Sequence, residues 1–213
     1  MGKLSSGLLW TAAIVGGTAL LARALFLDTW TFPDDRRFAA SVAPTLRAHD
    51  LLVLVKESAP SVGDLVRCAD PESPSEFIVA RVGGRVGDRV ELEGPSLRIN
   101  GRSYDAESAC PDRSVTLPNP GEGADIEVYC DKVAMGSGWH YRGHSIKSRF
   151  GFDKVKADVR PGMLYLVSDN RDWHDDSREF GQVPVDSCSH KIVFRLWGSM
   201  GMRADPRRFE FIH

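Results

Sequence analysis

The sequence predicts a mainly β protein: an antiparallel β-sheet domain with an inserted β-ribbon subdomain, set behind one N-terminal transmembrane helix. Three observations carry this expectation. A long uncharged stretch opens the chain, short β-branched runs recur between Gly, Pro and Asp, and the middle loosens into a polar, glycine-rich region. Twenty Gly and twelve Pro in 213 residues favour turns, which excludes a coiled coil or helix bundle as the main architecture. Lys and Arg number 27 against 29 Asp and Glu, and the formal charge of -2 argues against a nucleic-acid partner.

The N-terminal element rests on Leu4 to Ala22, a run without charge that includes Leu8, Leu9, Trp10, Ile14, Val15, Leu20 and Leu21. As a helix it rises roughly 28 Å, close to the hydrocarbon thickness of a bilayer. Arg23 stands near the far end, where a long side chain can snorkel, and Ala24 to Leu27 complete the segment. A cleaved signal peptide is the rival, since Lys3 precedes the run. The apolar length exceeds a typical signal-peptide core and favours an uncleaved anchor over residues 1–28. Lys3 lies on one side and Arg23, Arg36 and Arg37 on the other, so charge alone leaves the orientation open.

Strands follow. Leu51–Val55, Gly63–Arg67 and Phe77–Val82 have buried-strand composition, and Val90–Leu92 and Leu97–Ile99 bracket a hairpin turn at Glu93-Gly94-Pro95-Ser96. Asn100-Gly101 is a second tight-turn signal. Met163–Val167 and Ile192–Trp197 are late strands. The core therefore comprises residues 29–102 and 161–213, with residues 103–160 as the inserted β-rich subdomain. Cys68, Cys110, Cys130 and Cys188 show no metal-binding spacing. Outside the cytoplasm they permit disulfides, with Cys110–Cys130 the first pairing to test; four buried free thiols are the alternative. His140 and His144 lack a third ligand in a sensible frame, so neither metal nor cofactor is expected.

Three boxes in order then resemble one family, the bacterial type I signal peptidases. Ser41-Val42-Ala43-Pro44-Thr45-Leu46 is similar to the nucleophile box Ser-Met-x-Pro-Thr-Leu. The segment Phe77 to Val90, with Arg81, Gly84 and Gly87-Asp88, resembles the strand box that carries the general-base lysine. Ser168-Asp169-Asn170-Arg171-Asp172 through Asp176-Ser177-Arg178, Gly181 and Val183-Pro184 resembles Gly-Asp-Asn-Arg-Asp-Asn-Ser-x-Asp-Ser-Arg-x-x-Gly-x-Val-Pro. The resemblance implies a serine endopeptidase anchored in the cytoplasmic membrane. Its N-terminus would lie inside and its catalytic domain on the outer face, cleaving signal peptides from exported preproteins after small residues. The partners implied are those signal peptides and the lipid bilayer. Ser41 would be the nucleophile, and Val42, Pro44, Phe77, Ile78 and Val79 would line the substrate strand. Asp169, Asn170, Arg171 and Arg178 would frame the site.

The sequence departs from that pattern where the chemistry is concentrated. A serine hydroxyl needs a base to take its proton. The register set by Arg81 and Gly87-Asp88 puts Ala80 at the lysine position, and a methyl group accepts no proton. Arg81 cannot substitute, because a guanidinium stays charged. Lys56 lies where the family often has a lysine without catalytic role. In the last box His174 replaces the serine that hydrogen-bonds the catalytic lysine, and an imidazole is a suitable base near neutral pH. Asp176 is the carboxylate expected to hold its other nitrogen. Ala39 stands where some members supply an oxyanion hydroxyl, while others have glycine there. Three readings stay open: an active protease with a Ser41–His174 pair, an inactive paralogue that binds signal peptides or assists an active paralogue, and a lysine deliberately changed to Ala80. Trp30, Phe32, Trp197, Met200 and Met202 are candidates for the membrane interface, or else ordinary core and surface apolars.

Overall fold

The computed structural model describes residues 10–18, 21, 26–56, 59–73, 75–121, 123–136, 138–145 and 154–213. Residues 10–18 form helix α1, whose Trp10, Ile14 and Val15 side chains are exposed. Among the described residues no helix is long and apolar enough to cross a membrane. The rest of the expected anchor, residues 1–9, 19–20 and 22–25, lies outside the described residues. Strand β1 (Leu27–Thr31) pairs antiparallel with Leu51–Val55, so Leu27 and Asp28, expected in the anchor, belong to the sheet.

Helix α2 (Arg36–Val42) was not expected, because seven residues are too few to display a helical period. Asp35 caps it, with Oδ1 accepting from the Phe38 N–H at 2.8 Å. The expected strands follow as β2 (Leu51–Lys56), β3 (Leu65–Ala69), β4 (Phe77–Gly84), β5 (Arg89–Glu93) and β6 (Ser96–Ile99). Asn100 and Gly101 both take positive φ, 52° and 81°, and join β6 to β7 (Arg102–Tyr104) by the tight turn their pairing announces. Next come β8 (Ala106–Leu117), β9 (Ile126–Met135), β10 (Gly138–His144), β11 (Lys154–Asp158), β12 (Met163–Val167) and β13 (Val183–Pro184). The chain closes with β14 (His190–Trp197), a short helix α3 (Gly201–Ala204) and β15 (Glu210–Phe211).

The main sheet runs β1-β2-β14-β3-β4-β12-β13, with β15 beside β14. Alternation along β4 sorts its side chains to two cores. Val79 packs with Val42 and Leu46 of the α2 region and with Leu52, Leu54, Leu65 and Ile192. Ile78, Ala80 and Val82 pack with Val66, Leu164 and Leu166 around Cys68 and Cys188. Burial on both faces explains why β4 reads as a nearly continuous apolar run. The strands β10-β9-β8 form a separate ribbon sheet, within the expected insertion. Strand β11 instead joins β5, β6 and β7, because its inward Val155 and Ala157 pack on the core of Val90 and Leu92. The pairing of residues 154–158 with 89–93 thus crosses the boundary expected near residue 160.

Both disulfides are formed. Cys110–Cys130 ties β8 to β9, the pairing tested first by the sequence, and Cys68–Cys188 ties β3 to the approach to β14. No free cysteine remains, which sets aside the alternative of free thiols.

Candidate active site

Ser41 occupies the last turn of α2 and is 2% exposed. Its Oγ donates to the Phe38 carbonyl of its own helix at 2.9 Å. A helix end leaves carbonyls without intrahelical partners, and Asn170 takes two of them. Its backbone N–H donates to Ser41 O at 3.0 Å and its Nδ2 to Ala40 O at 2.9 Å. The same carboxamide oxygen accepts from the N–H groups of Asp172 and Trp173, so one side chain joins the nucleophile helix to the loop carrying His174.

Asp169 anchors this arrangement from below. Wholly buried, it accepts Arg81 Nε at 2.7 Å, Arg81 Nη2 at 2.9 Å and Thr45 Oγ1 at 2.6 Å. The fork of Arg81 matches both carboxylate oxygens, the strong geometry for a buried pair. Ribbon and core meet at Gly143, whose N–H donates to Asp169 O and whose carbonyl accepts from Arg171 N–H, both at 2.8 Å. A Cβ at Gly143 would lie 2.6 Å from Ala43 O and 2.7 Å from Val128 Cγ1, so only glycine fits. Thr45 was visible in the sequence as a position of the nucleophile box but without a role, and Gly143 was not singled out; their partners come from distant segments.

The second carboxylate, Asp176, is also fully buried. Its oxygens accept from Ser168 N–H, Arg178 N–H, Arg178 Nε and Arg178 Nη2, between 2.7 and 3.0 Å. Burial pushes this carboxyl up, but the hydrogen bonds and charge of Arg178 and the backbone donors prevail and hold it below its ordinary range. Asp176 therefore fixes the loop, and it is not the carboxylate beside the His174 ring. Glu179 is. His174 Nδ1 lies 2.8 Å from Glu179 Oε1, close enough for an ion pair but without the alignment of a hydrogen bond. Glu179 fell outside the matched positions of the box, so the sequence did not single it out.

Burial, then Arg178, lowers the His174 pKa below its ordinary value, with Asp176 and Asp172 opposing. Burial thus works against the imidazolium form. The ring lines a cleft of about 520 Å³ together with Arg37 and Ala40 of α2. Among the described residues Ser41 Oγ makes no hydrogen bond to His174. Ala80 is 0% exposed within its apolar cluster, and Arg81 is committed to Asp169. Arg171 is buried as expected of the frame, and burial followed by repulsion from Arg178 lowers its pKa to about 9. Of the residues expected along the substrate, Val42, Ile78 and Val79 are buried, Pro44 lines a second cleft, and Phe77 is 47% exposed. Strand β12 pairs with β4 only from Arg81 onward, which leaves that edge of Phe77–Ala80 without a strand partner among the described pairings. Ile78, Val79 and Ala80 are buried, so the accessible part of that edge, where an extended peptide could add, is at Phe77.

A family model described as signal peptidase, peptidase S26, matches residues 8–197. The chain belongs to this signal peptidase family. A signal peptidase I from Bacillus caldolyticus is 28% identical over 162 residues, spanning 74% of this chain and 75% of the relative. A signal peptidase IB from Staphylococcus aureus is 30% identical over 125 residues, 56% of this chain and 52% of that protein. A solved signal peptidase I from Enterococcus faecalis V583 aligns with a TM-score of 0.37 at 23% identity, covering 61% of this chain and 93% of that one. Membership of a signal peptidase family supports signal-peptide cleavage by a serine endopeptidase as the chemistry to be tested at Ser41.

Proposed function

We propose that this chain is a membrane-anchored endopeptidase that removes signal peptides from exported proteins after small residues, with Ser41 as nucleophile and His174 as general base. The observation that carries the base assignment is the shared cleft: the half-buried His174 ring, with burial working against its charged form, borders one cavity with Arg37 and Ala40 of the helix that carries Ser41. In this reading a substrate strand lies along the free edge of β4 at Phe77. Ser41 Oγ turns from Phe38 O and gives its proton to His174 as the oxygen bonds to the scissile carbonyl carbon. The imidazolium returns that proton to the departing amine as the C–N bond breaks, and water then hydrolyses the acyl-enzyme by the same route. Glu179 stabilises the imidazolium that forms. The exposed apolar face of α1 supports the anchor, and the two disulfides support placement of the catalytic domain on the oxidising, outer side.

A second reading has its own observation: Ala80 sits in an apolar cluster and Ser41 Oγ is bonded within its helix, as in an inactive paralogue that retains peptide binding. Cleavage of an Ala-x-Ala preprotein by the detergent-purified chain separates the two. The parent is expected to cleave, and Ser41→Ala and His174→Ala each to lose activity by about 10²-fold or more. Cleavage should rise with pH through an acid limb below the ordinary histidine value, because the base must be neutral and its pKa is lowered. Activity indifferent to His174→Ala would overturn the base assignment. An inert parent restored by Ala80→Lys would point to a scaffold lacking only its base. An inert parent that binds the peptide would favour the paralogue.

A further inference from the structure

A second cleft, about 500 Å³, opens between the core and the ribbon. Its walls include Pro44 and Thr45 on one side and the Cys110–Cys130 disulfide with Pro111 on the other. Four arginines line it, and they differ in how their charge is met. Arg195 is saturated: Nε donates to Asp50 at 2.9 Å, Nη1 to Glu210 and Nη2 to Thr45 O. Arg207 shares the same buried Asp50 through Nη2 at 3.0 Å, while its Nη1 has no hydrogen-bond partner. Arg47 Nε is likewise buried without a partner, and among the described residues the Arg208 guanidinium donates to a backbone carbonyl, Asp205 O, at 3.0 Å. Among the described residues neither Arg47 nor Arg208 is paired with a carboxylate. Burial, then repulsion from Arg195 and Arg47, pushes the Arg207 guanidinium down from its ordinary value, with Asp50 and Asp205 opposing. Asp50, Glu210 and Asp205 thus answer Arg195 and Arg207, Asp112 also lines the cleft, and what stays unmet is hydrogen bonding at Arg47 Nε and Arg207 Nη1 and a carboxylate partner for Arg47 and Arg208.

We infer that this cleft binds an acidic side chain, Asp or Glu, of the polypeptide that follows the scissile bond. The inference rests on the signal peptidase reading for its placement. Pro44 is three residues from Ser41, so the cleft begins within about 11 Å of the nucleophile along an extended chain. A substrate strand that passes the nucleophile toward the ribbon enters it within its first few residues. Residues before the cut are small and neutral in that reading, so charge recognition falls to the mature side. Planar guanidinium forks at Arg47, Arg207 and Arg208 suit a carboxylate better than a neutral amide.

The test uses full-length Ser41→Ala protein in detergent, so that binding is read without turnover. Two labelled peptides share an Ala-x-Ala segment and carry either Asp or Asn at the second to fourth positions after it. A third, unlabelled acidic tetrapeptide has no signal segment and is followed by NMR shifts of the arginine Nε–H groups. The Asp peptide is expected to bind about two- to fivefold tighter than the Asn peptide, as for partly exposed pairs, and 0.5 M salt should erase the difference. Combined Arg47→Gln and Arg208→Gln substitution should remove the preference without changing Asn-peptide affinity, and Asp112→Asn should enlarge it. Equal affinities, or a preference that survives the arginine changes, would overturn the inference. Binding of the tetrapeptide alone, with no binding of either longer peptide, would uphold the cleft while sinking the peptidase reading. Failure of all three peptides would end both.

Discussion

The loop from Ser168 to Phe180 is held in two different ways. At its start Asp169 is wholly buried, accepts three donors from Arg81 and Thr45, and ties core to ribbon through Gly143. In its middle His174 and Glu179 are respectively 26% and 52% exposed in their side chains and meet through one close, poorly aligned contact. Asp169 and Asn170 are thus buried with their hydrogen bonds made, whereas His174 lies on a half-open surface. A change of base in that middle costs little structure.

Breaking the frame should have the largest effect. Asp169→Ala leaves the Arg81 charge and the Thr45 hydroxyl buried without their partner, and urea denaturation should register a loss of about 3–5 kcal/mol. Gly143→Ala comes next. The added methyl cannot clear Ala43 O and Val128, and the strain should cost about 1–3 kcal/mol. Because that strain falls between Ala43 and the Asn170 bridge, cleavage should fall further than stability does, as steady-state kinetics would reveal.

The open end of the loop should respond in the opposite proportion. Glu179→Gln should leave the denaturation midpoint within about 0.5 kcal/mol of the parent, as for an exposed substitution. The same variant should slow cleavage by about tenfold or more if Glu179 stabilises the imidazolium. A stability loss comparable to that of Asp169→Ala would erase the contrast between the two ends. The smallest effect is expected at Asp175, whose carboxyl is pushed up by burial and by Asp70, Asp176 and Glu72. A raised carboxyl disfavours folding once ionised, so the penalty is present above its folded pKa and disappears below the unfolded value. Asp175→Asn should therefore raise stability at pH 7 by about a few tenths of a kcal/mol after solvent screening, seen as a slightly higher melting temperature. Repeating the melt near pH 3 should show no gain.

Much of the architecture was legible without coordinates. Runs such as Leu51–Val55 and Phe77–Val82 are strands because β-branched and apolar side chains fill both faces of a buried sheet, and Asn100-Gly101 marks its turn by tolerating positive φ. Ser41, Asp169 and Asn170 were legible as a motif in order, and Cys110–Cys130 was the first pairing to test, with free thiols left open as the alternative. Helix α2 was not, since its seven residues hold their shape through the Asp35 cap and the packing of Val42 on distant strands.

By itself, then, the sequence determined the period-two strands, the turns and the family's boxes, because each is written in residue type and local spacing. Only the tertiary structure decided that Glu179 rather than Asp176 stands beside His174, that Cys68 meets Cys188 across a separation of 120 residues, and that Gly143 wedges between core and ribbon. These are long-range pairings. Their partners are selected by how two sheets and a ribbon pack, and no local propensity along the chain encodes which distant group will arrive.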